Sequence, residues 1–176
     1  MSSLRYIKKE TMGTDVASVS LTDIFSSDFD IYYLNIPTLH MANQVNLRMR
    51  FINSSGSIIT SSEYDTAQQL LYSHASFGEN KQQNQTYIEL GYYDVDALEY
   101  GMGVSMYIFN PYSSSSYTFL ISQSSYFEQI GNGQDSRKSI GVLTETSSAT
   151  GVNFHCSTDP VLEDFEVVCY GLRVDS

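Results

Sequence analysis

Val104-Ser-Met-Tyr-Ile-Phe-Asn-Pro-Tyr-Ser-Ser-Ser-Ser-Tyr-Thr-Phe-Leu-Ile-Ser-Gln123 decides the fold class. Two runs rich in aromatic and β-branched residues, which suit pleated, half-buried surfaces, flank Asn110-Pro111-Tyr112-Ser113. Pro111 has no backbone N–H and biases Asn110 towards extended geometry. A strand ladder must pause there, and the serines can hydrogen-bond their own backbone in a turn. The stretch predicts a hairpin, 104–109 with 116–123, in the middle of an all-β domain.

Composition points the same way. The 176 residues suffice for one domain with a substantial core. Apolar residues make up 41%, which argues against global disorder. Fourteen Tyr, nine Phe and no Trp, with many Ser, match strands joined by turns.

The formal net charge is −11, from 20 acidic and 9 basic residues, and such a surface repels nucleic-acid phosphates. The acids are scattered, so no acidic tail is expected. No apolar run approaches the ~20 residues of a membrane-spanning helix. Met1–Glu10 carries basic residues without an apolar segment after them, so it does not read as a secretion signal. The expectation is a chain made in a cytoplasm, where Asn53-Ser-Ser55 and Asn84-Gln-Thr86 mean little as glycosylation patterns.

Along the chain, residues 1–13 read as an arm or a first edge strand, and 14–176 as a single domain. Arg5, Lys8 and Lys9 concentrate a third of the basic residues in that arm, which suggests a docking segment. Val16–Leu21 alternates as a strand. Thr22–Asp28 reads as a turn, with Thr22 able to cap one helical turn. Phe29–Ile36 is a strand apolar on both faces, closed by Pro37, as in a central strand or a subunit contact. Val45–Ile52 alternates most cleanly, with Val45, Leu47, Met49 and Phe51 inward.

Residues 63–72 permit a helix, and the hairpin context favours a strand. Gly78–Gln85 is the longest polar run and reads as a surface loop, the place where disorder is expected. Strands follow at 86–93, 138–144, 152–156 and 165–174, with a turn or brief helix at 94–101. About ten short strands, with no βαβ rhythm, predict an antiparallel β-sandwich of jelly-roll type.

Little in this pattern demands chemistry. Strand parity places Cys156 and Cys169 inward, and a hairpin around Asp159-Pro160 would bring them opposite each other. A reducing cytoplasm favours buried free thiols. Neither a CxxC nor a His pair at ligand spacing occurs, and no cofactor or metal is expected. His40, His74 and His155 are far apart, without a nucleophile elbow. Glu89 with Asp94, Asp96 or Glu99, around Tyr92-Tyr93, offers the best carboxylate pair for glycoside hydrolysis. Parity nevertheless places Glu89 outward and the others in a turn. The same cluster of tyrosines and carboxylates suits sugar binding, and Asp94-x-Asp96 could offer oxygen ligands to Ca²⁺, although the rest of an EF-type loop is missing. Exposed Tyr, two-faced apolar strands and a basic arm on an acidic body fit an assembly component better.

Four segments carry a family resemblance: Ile24-Phe25 through Tyr32-Tyr33-Leu34-Asn35-Ile36; Leu47–Ile52 with Ser54-Ser-Gly56; Ile108-Phe-Asn-Pro-Tyr112; and Val168-Cys-Tyr-Gly-Leu-Arg173. In this order they resemble small β-sandwich virion structural proteins of tailed bacteriophages, of the marine and cyanobacterial type. There an F…Y…I strand, an L-x-M-R strand, an I-F-N-P hairpin and a closing Y-G-hydrophobic strand recur. The likeness spans most of 24–174; the polar run 78–85 and the arm 1–9 have no place in it.

The resemblance implies a non-enzymatic structural component of a phage virion, made in the host cytoplasm. Its first form is a capsid decoration (cement) protein on the major capsid protein, as a homo-oligomer with a trimer favoured. Its alternative form is a tail or fibre component that recognises a receptor glycan. Candidate contact residues are Arg5, Lys8 and Lys9 on the arm, and Tyr92, Tyr93 and Tyr112 at strand ends or turns.

Overall fold

The computed structural model describes residues 3–13, 16–41, 45–93, 101–128, 133–157 and 162–173, and no helix occurs among them. The strands are β1 (Ser3–Met12), β2 (Ser18–Leu21), β3 (Ile31–Met41), β4 (Val45–Asn53), β5 (Tyr64–Tyr72), β6 (Gly78–Gln85) and β7 (Ile88–Tyr93). They continue with β8 (Met102–Phe109), β9 (Thr118–Glu128), β10 (Gly133–Leu143), β11 (Ala149–Cys156), the two-residue β12 (Leu162–Glu163) and β13 (Phe165–Arg173). A large antiparallel sheet runs β1-β13-β3-β8-β9-β10-β5-β6, with β12 added beside β3, and a small one runs β2-β11-β4-β7.

The order is informative. Taken in chain order, β1, β2, β3, β4, β7, β8, β11 and β13 form sheets with the orders first-eighth-third-sixth and second-seventh-fourth-fifth. That is a jelly roll, two interlocked Greek keys closed into a sandwich. The hairpins β5–β6 and β9–β10 are insertions, placed between β4 and β7 and between β8 and β11. Both join the large sheet beyond β8, so it overhangs the small one by four strands.

Period-2 alternation builds the core. Val45, Leu47, Met49 and Phe51 of β4 point inward to meet Tyr32, Leu34 and Ile36 of β3, with Phe154 of β11 and Phe165 of β13 between the sheets. Two buried tyrosines keep their hydroxyls bonded, as a buried phenol must. Tyr32 donates to the Ser26 carbonyl and accepts the Ser26 N–H, both at 2.8 Å. Tyr64 accepts the Phe51 N–H at 3.1 Å and donates to the Ile59 carbonyl at 3.0 Å. Burial raises the pKa of both phenols.

The hairpin expected from 104–123 is present, with Phe109 opposite Phe119. Its turn differs in one respect: Asn110 is left-handed, with φ 53°, rather than extended. Asn tolerates that region, and there its N–H reaches the Asp30 carbonyl at 2.7 Å while its own carbonyl takes Ser113 N–H at 3.2 Å. Of residues 63–72, Tyr64–Tyr72 form strand β5 and none is helical.

Other expectations need correction. Pro37 does not close its strand, because β3 runs on to Met41 through a register shift between Ile36 and Leu39. A bulge is where a strand can accommodate a residue without an N–H. Thr22–Asp28 forms no helical turn; Asp23 takes φ 59° there. Gly78–Gln85 is not a loop but β6, paired with β5 and forming the edge of the large sheet. Its polarity reflects that edge position, where polar and charged side chains discourage pairing with other chains. Among the described residues there are thirteen strands, counting β6, the two-residue β12 and β1, in keeping with an antiparallel sandwich of about ten strands. The two cysteines are not opposite each other: Cys156 lies on β11 of the small sheet and Cys169 on β13 of the large one, and both are free. Burial raises their thiols to about 11 and about 12.

Candidate functional site

The overhanging strands reverse the usual placement of polar and apolar residues. On the inner face, Met106 of β8 is followed across the ladder by Ser122, Ser139, Gln68 and Asn80, and Val104 by Ser124 and Arg137. The free edge of β7 lies against β9, β10 and β5. A register shift in β7 inserts Leu90 between Gly91 and Glu89, and Ile88, Glu89, Leu90 and Gly91 are all buried.

Glu89 is therefore inside, not outward as alternation in a free strand implies. Arg137 Nη1 donates to Glu89 Oε1 at 3.0 Å and to Gln68 Oε1 at 3.3 Å. Gln68 Nε2 in turn donates to the Glu89 carbonyl at 2.9 Å and to Ser139 Oγ at 3.0 Å. Burial pushes the Tyr126 phenol up to about 12, with the Arg137 guanidinium acting against that shift. The Arg137 guanidinium lies 5.8 Å from the Tyr92 ring centroid. Asp135 is buried two residues from Arg137, its Oδ1 at 3.6 Å from His74 Nδ1.

This cluster locks the inserted hairpins to β7. Breaking such a pair from one side costs about 3–5 kcal/mol, because the remaining charge is left buried. As a catalytic arrangement it has little to offer. Glycoside hydrolysis needs two carboxyl groups facing a sugar, about 5–9.5 Å apart, and Glu89 faces a guanidinium in the interior. Asp94, Asp96 and Glu99 lie outside the described residues. Among the described residues no group of three His, Cys, Asp or Glu side chains could hold a metal ion.

The outer face of the large sheet is the opposite case. One row across the strands reads Tyr6, Tyr170, Tyr33, Tyr107, Ile121, Ile140, Ala67 and Lys81. The next reads Leu4, Leu172, Ile31, Phe109, Phe119, Val142 and Asp65. From β1 to β10 neither row contains a charge. Neighbouring tyrosine rings touch: Tyr33 lies 5.0 Å from Tyr107 and 6.2 Å from Tyr170, and Tyr6 lies 6.1 Å from Tyr170. At the other end Phe109, Phe119, Ile121, Ile140 and Val142 line an open groove of about 840 Å³, with Asp65, Lys81, Gln82 and Gln83 alongside. The row on one side is polar: Lys9, Val168, Asn35, Ser105, Gln123, Lys138, Gln69 and Glu79.

The residues singled out from the sequence do not form one site. Arg5, Lys8 and Lys9 lie on β1, a strand paired with β13 along its length. Lys9 forms an ion pair with Glu166 at 2.6 Å and Lys8 donates to the Thr22 carbonyl at 3.2 Å, while Arg5 is exposed. Tyr92 is half-buried against the core near Arg137, Tyr93 pairs with Val45 at the end of β7, and Tyr112 is exposed in the turn after β8. The histidines are dispersed: His40 Nδ1 is 3.9 Å from Asp164, and His155 sits on β11 beside Tyr87. Burial, with Arg50 and Arg48 nearby, lowers the His155 pKa to about 4. Arg48 stacks on Tyr87, 3.8 Å from the ring centroid.

The outer rows themselves escaped sequence reasoning. Their signal was the pair of two-faced runs, 29–36 and 104–123; the cross-strand register that aligns them belongs to the fold.

No family model matches the chain, and no curated protein matches it. Among solved structures, one similar chain is a variant fructofuranosidase from Schwanniomyces occidentalis complexed with fructosylnystose, at 8% identity and a TM-score of 0.20. The alignment covers 98% of this chain and 34% of that one, and a score so low carries no argument about fold or function.

Proposed function

We propose that this chain is a non-enzymatic structural component of a phage virion, a capsid decoration protein that docks on capsid subunits. The observation that carries the reading is the uncharged, aromatic outer face of the large sheet, of a kind that marks protein–protein contact. It joins the family resemblance of the four segments quoted above. The burial of Glu89 against Arg137 supports a structural role for the best carboxylate candidate. Arg5 on the edge strand adds a cation that could meet an acidic neighbour.

One observation favours a second reading. The groove over Phe109, Phe119, Ile121 and Ile140 sets aromatic faces beside amides and charges, the combination a glycan-binding tail or fibre component would use. Co-sedimentation separates the two. A decoration protein pellets with purified shells that lack it and ignores host cells. A receptor-binding component ignores shells and binds cells or their surface glycans. A chain that binds neither argues against both readings.

A further inference from the structure

The exposed outer face implies a partner, and its two halves fit each other. We propose that another copy of this chain covers it, the tyrosine row of one copy lying in the apolar groove of the next. The proposal rests on the reading of this face as an assembly surface and names what occupies it.

Four observations carry it. First, exposure is high: Tyr6 is 59%, Ile121 51% and Ile140 60% exposed, and Leu4, Tyr107 and Phe119 are comparable. With whole aromatic side chains worth ~150–250 Å², about half of each of the six exposed residues and a smaller share of the half-buried members of both rows come to about 800 Å², the share of one partner in a standard interface. Second, the exposure is not forced by a shortage of polar residues. On β9 and β10 Ser122, Ser124, Ser139 and Arg137 take buried positions, and Phe119, Ile121 and Ile140 exposed ones. An apolar residue gains nothing from that placement in an isolated chain.

Third, charge opposes self-association everywhere except at this face. The molecule carries −11, so two copies repel through most of their surfaces, yet these two rows are neutral from β1 to β10. Fourth, the face is divided by shape. The tyrosine row spans β1, β13, β3 and β8, while the groove lies over β9, β10, β5 and β6 with Phe109 at its edge. Turning one copy about an axis along the strands puts each half against the other kind, and both contacts are then satisfied together.

Light-scattering mass of the purified full chain tests the proposal, with the I121K/I140K double variant alongside. One chain weighs 19.8 kDa. The expected result is a dimer, which is the closed form of that two-fold contact, and it falls to monomer mass in the double variant. Far-UV circular dichroism and the thermal midpoint stay near the parent values, since both sites are exposed. Ile58→Lys, on the other side of the sandwich, should leave the mass unchanged. A monomer at every attainable concentration overturns the proposal, and so does an oligomer indifferent to I121K/I140K. Shell binding is read separately: a monomer that still pellets with shells keeps the virion reading while self-association fails, and an oligomer that binds neither shells nor cells does the reverse.

Discussion

The jelly-roll half and the overhanging half of the sandwich solve the same problem in opposite ways. Between β4, β11, β3 and β13 the interior is apolar: Leu47, Met49, Phe154, Leu34 and Phe165 are all buried. Beneath β9, β10 and β5 the interior holds Ser122, Ser124, Arg137, Ser139 and Gln68, closed by Glu89 from β7. The outer faces invert the contrast, since β9 and β10 present Phe119, Ile121 and Ile140 to solvent. One half is held together by burial. The other is pinned internally by a charge network and turns its apolar capacity outward, where another molecule can use it. Polar pinning and apolar exposure are thus assigned to different surfaces of the same strands.

The largest effect should come from breaking the polar half from one side. Arg137→Met leaves Glu89 buried without its cation and is expected to cost about 3–5 kcal/mol in chemical denaturation. Replacing both, as E89L/R137M, should recover most of that loss, because a well-packed apolar pair can equal a buried ion pair. If the double variant is as unstable as the single one, the network does more than neutralise its own charges. Phe154→Ala in the apolar half should also cost about 3–5 kcal/mol, through lost transfer energy and a residual cavity. No second substitution at Glu89 should relieve it, because the two sites share no contacts.

Acid provides a smaller contrast, confined to the jelly-roll half. His155 has a pKa of about 4 in the fold against an ordinary 6.5. Above pH 6.5 it is neutral in both states and its contribution is complete. As pH falls from 6.5 to 4 the unfolded chain takes up a proton that the folded chain refuses, so stability declines across that window and this group adds nothing further below it. Discounted for solvent screening at a half-buried ring, the decline attributable to His155 is about 1–2 kcal/mol. His155→Gln should flatten that part of a pH-dependent denaturation series. The smallest effect is expected on the outer face: Ile140→Lys should change monomer stability by no more than about 0.5 kcal/mol, however strongly it affects association.

Much of the jelly roll was legible because its strands alternate. Val45–Phe51 announces its buried face residue by residue, and Asn110-Pro111 announces the hairpin. The overhang was hidden for a physical reason. Gly78–Gln85 has no apolar face to report, because an edge strand is held by its main chain and by β5 alone. Glu89 escapes alternation because a register shift at Leu90 and the covering strands β9 and β10 leave four successive residues of β7, Ile88 to Gly91, buried. The tyrosine row was hidden differently: Tyr6, Tyr33, Tyr107 and Tyr170 are scattered through the sequence, and only the pairing of β1, β13, β3 and β8 aligns them.

Hydroxyl-radical footprinting of the purified chain tests most directly whether the outer face is an interface. Tyr107 and Tyr112 are almost equally exposed in a single chain, at 44% and 41%, but Tyr107 lies in the outer row and Tyr112 in a turn. Oxidation of Tyr107 well below that of Tyr112, becoming equal in I121K/I140K, is the predicted result. Equal oxidation of the two tyrosines in the parent chain would mean that this face stands open to solvent, and would contradict the account.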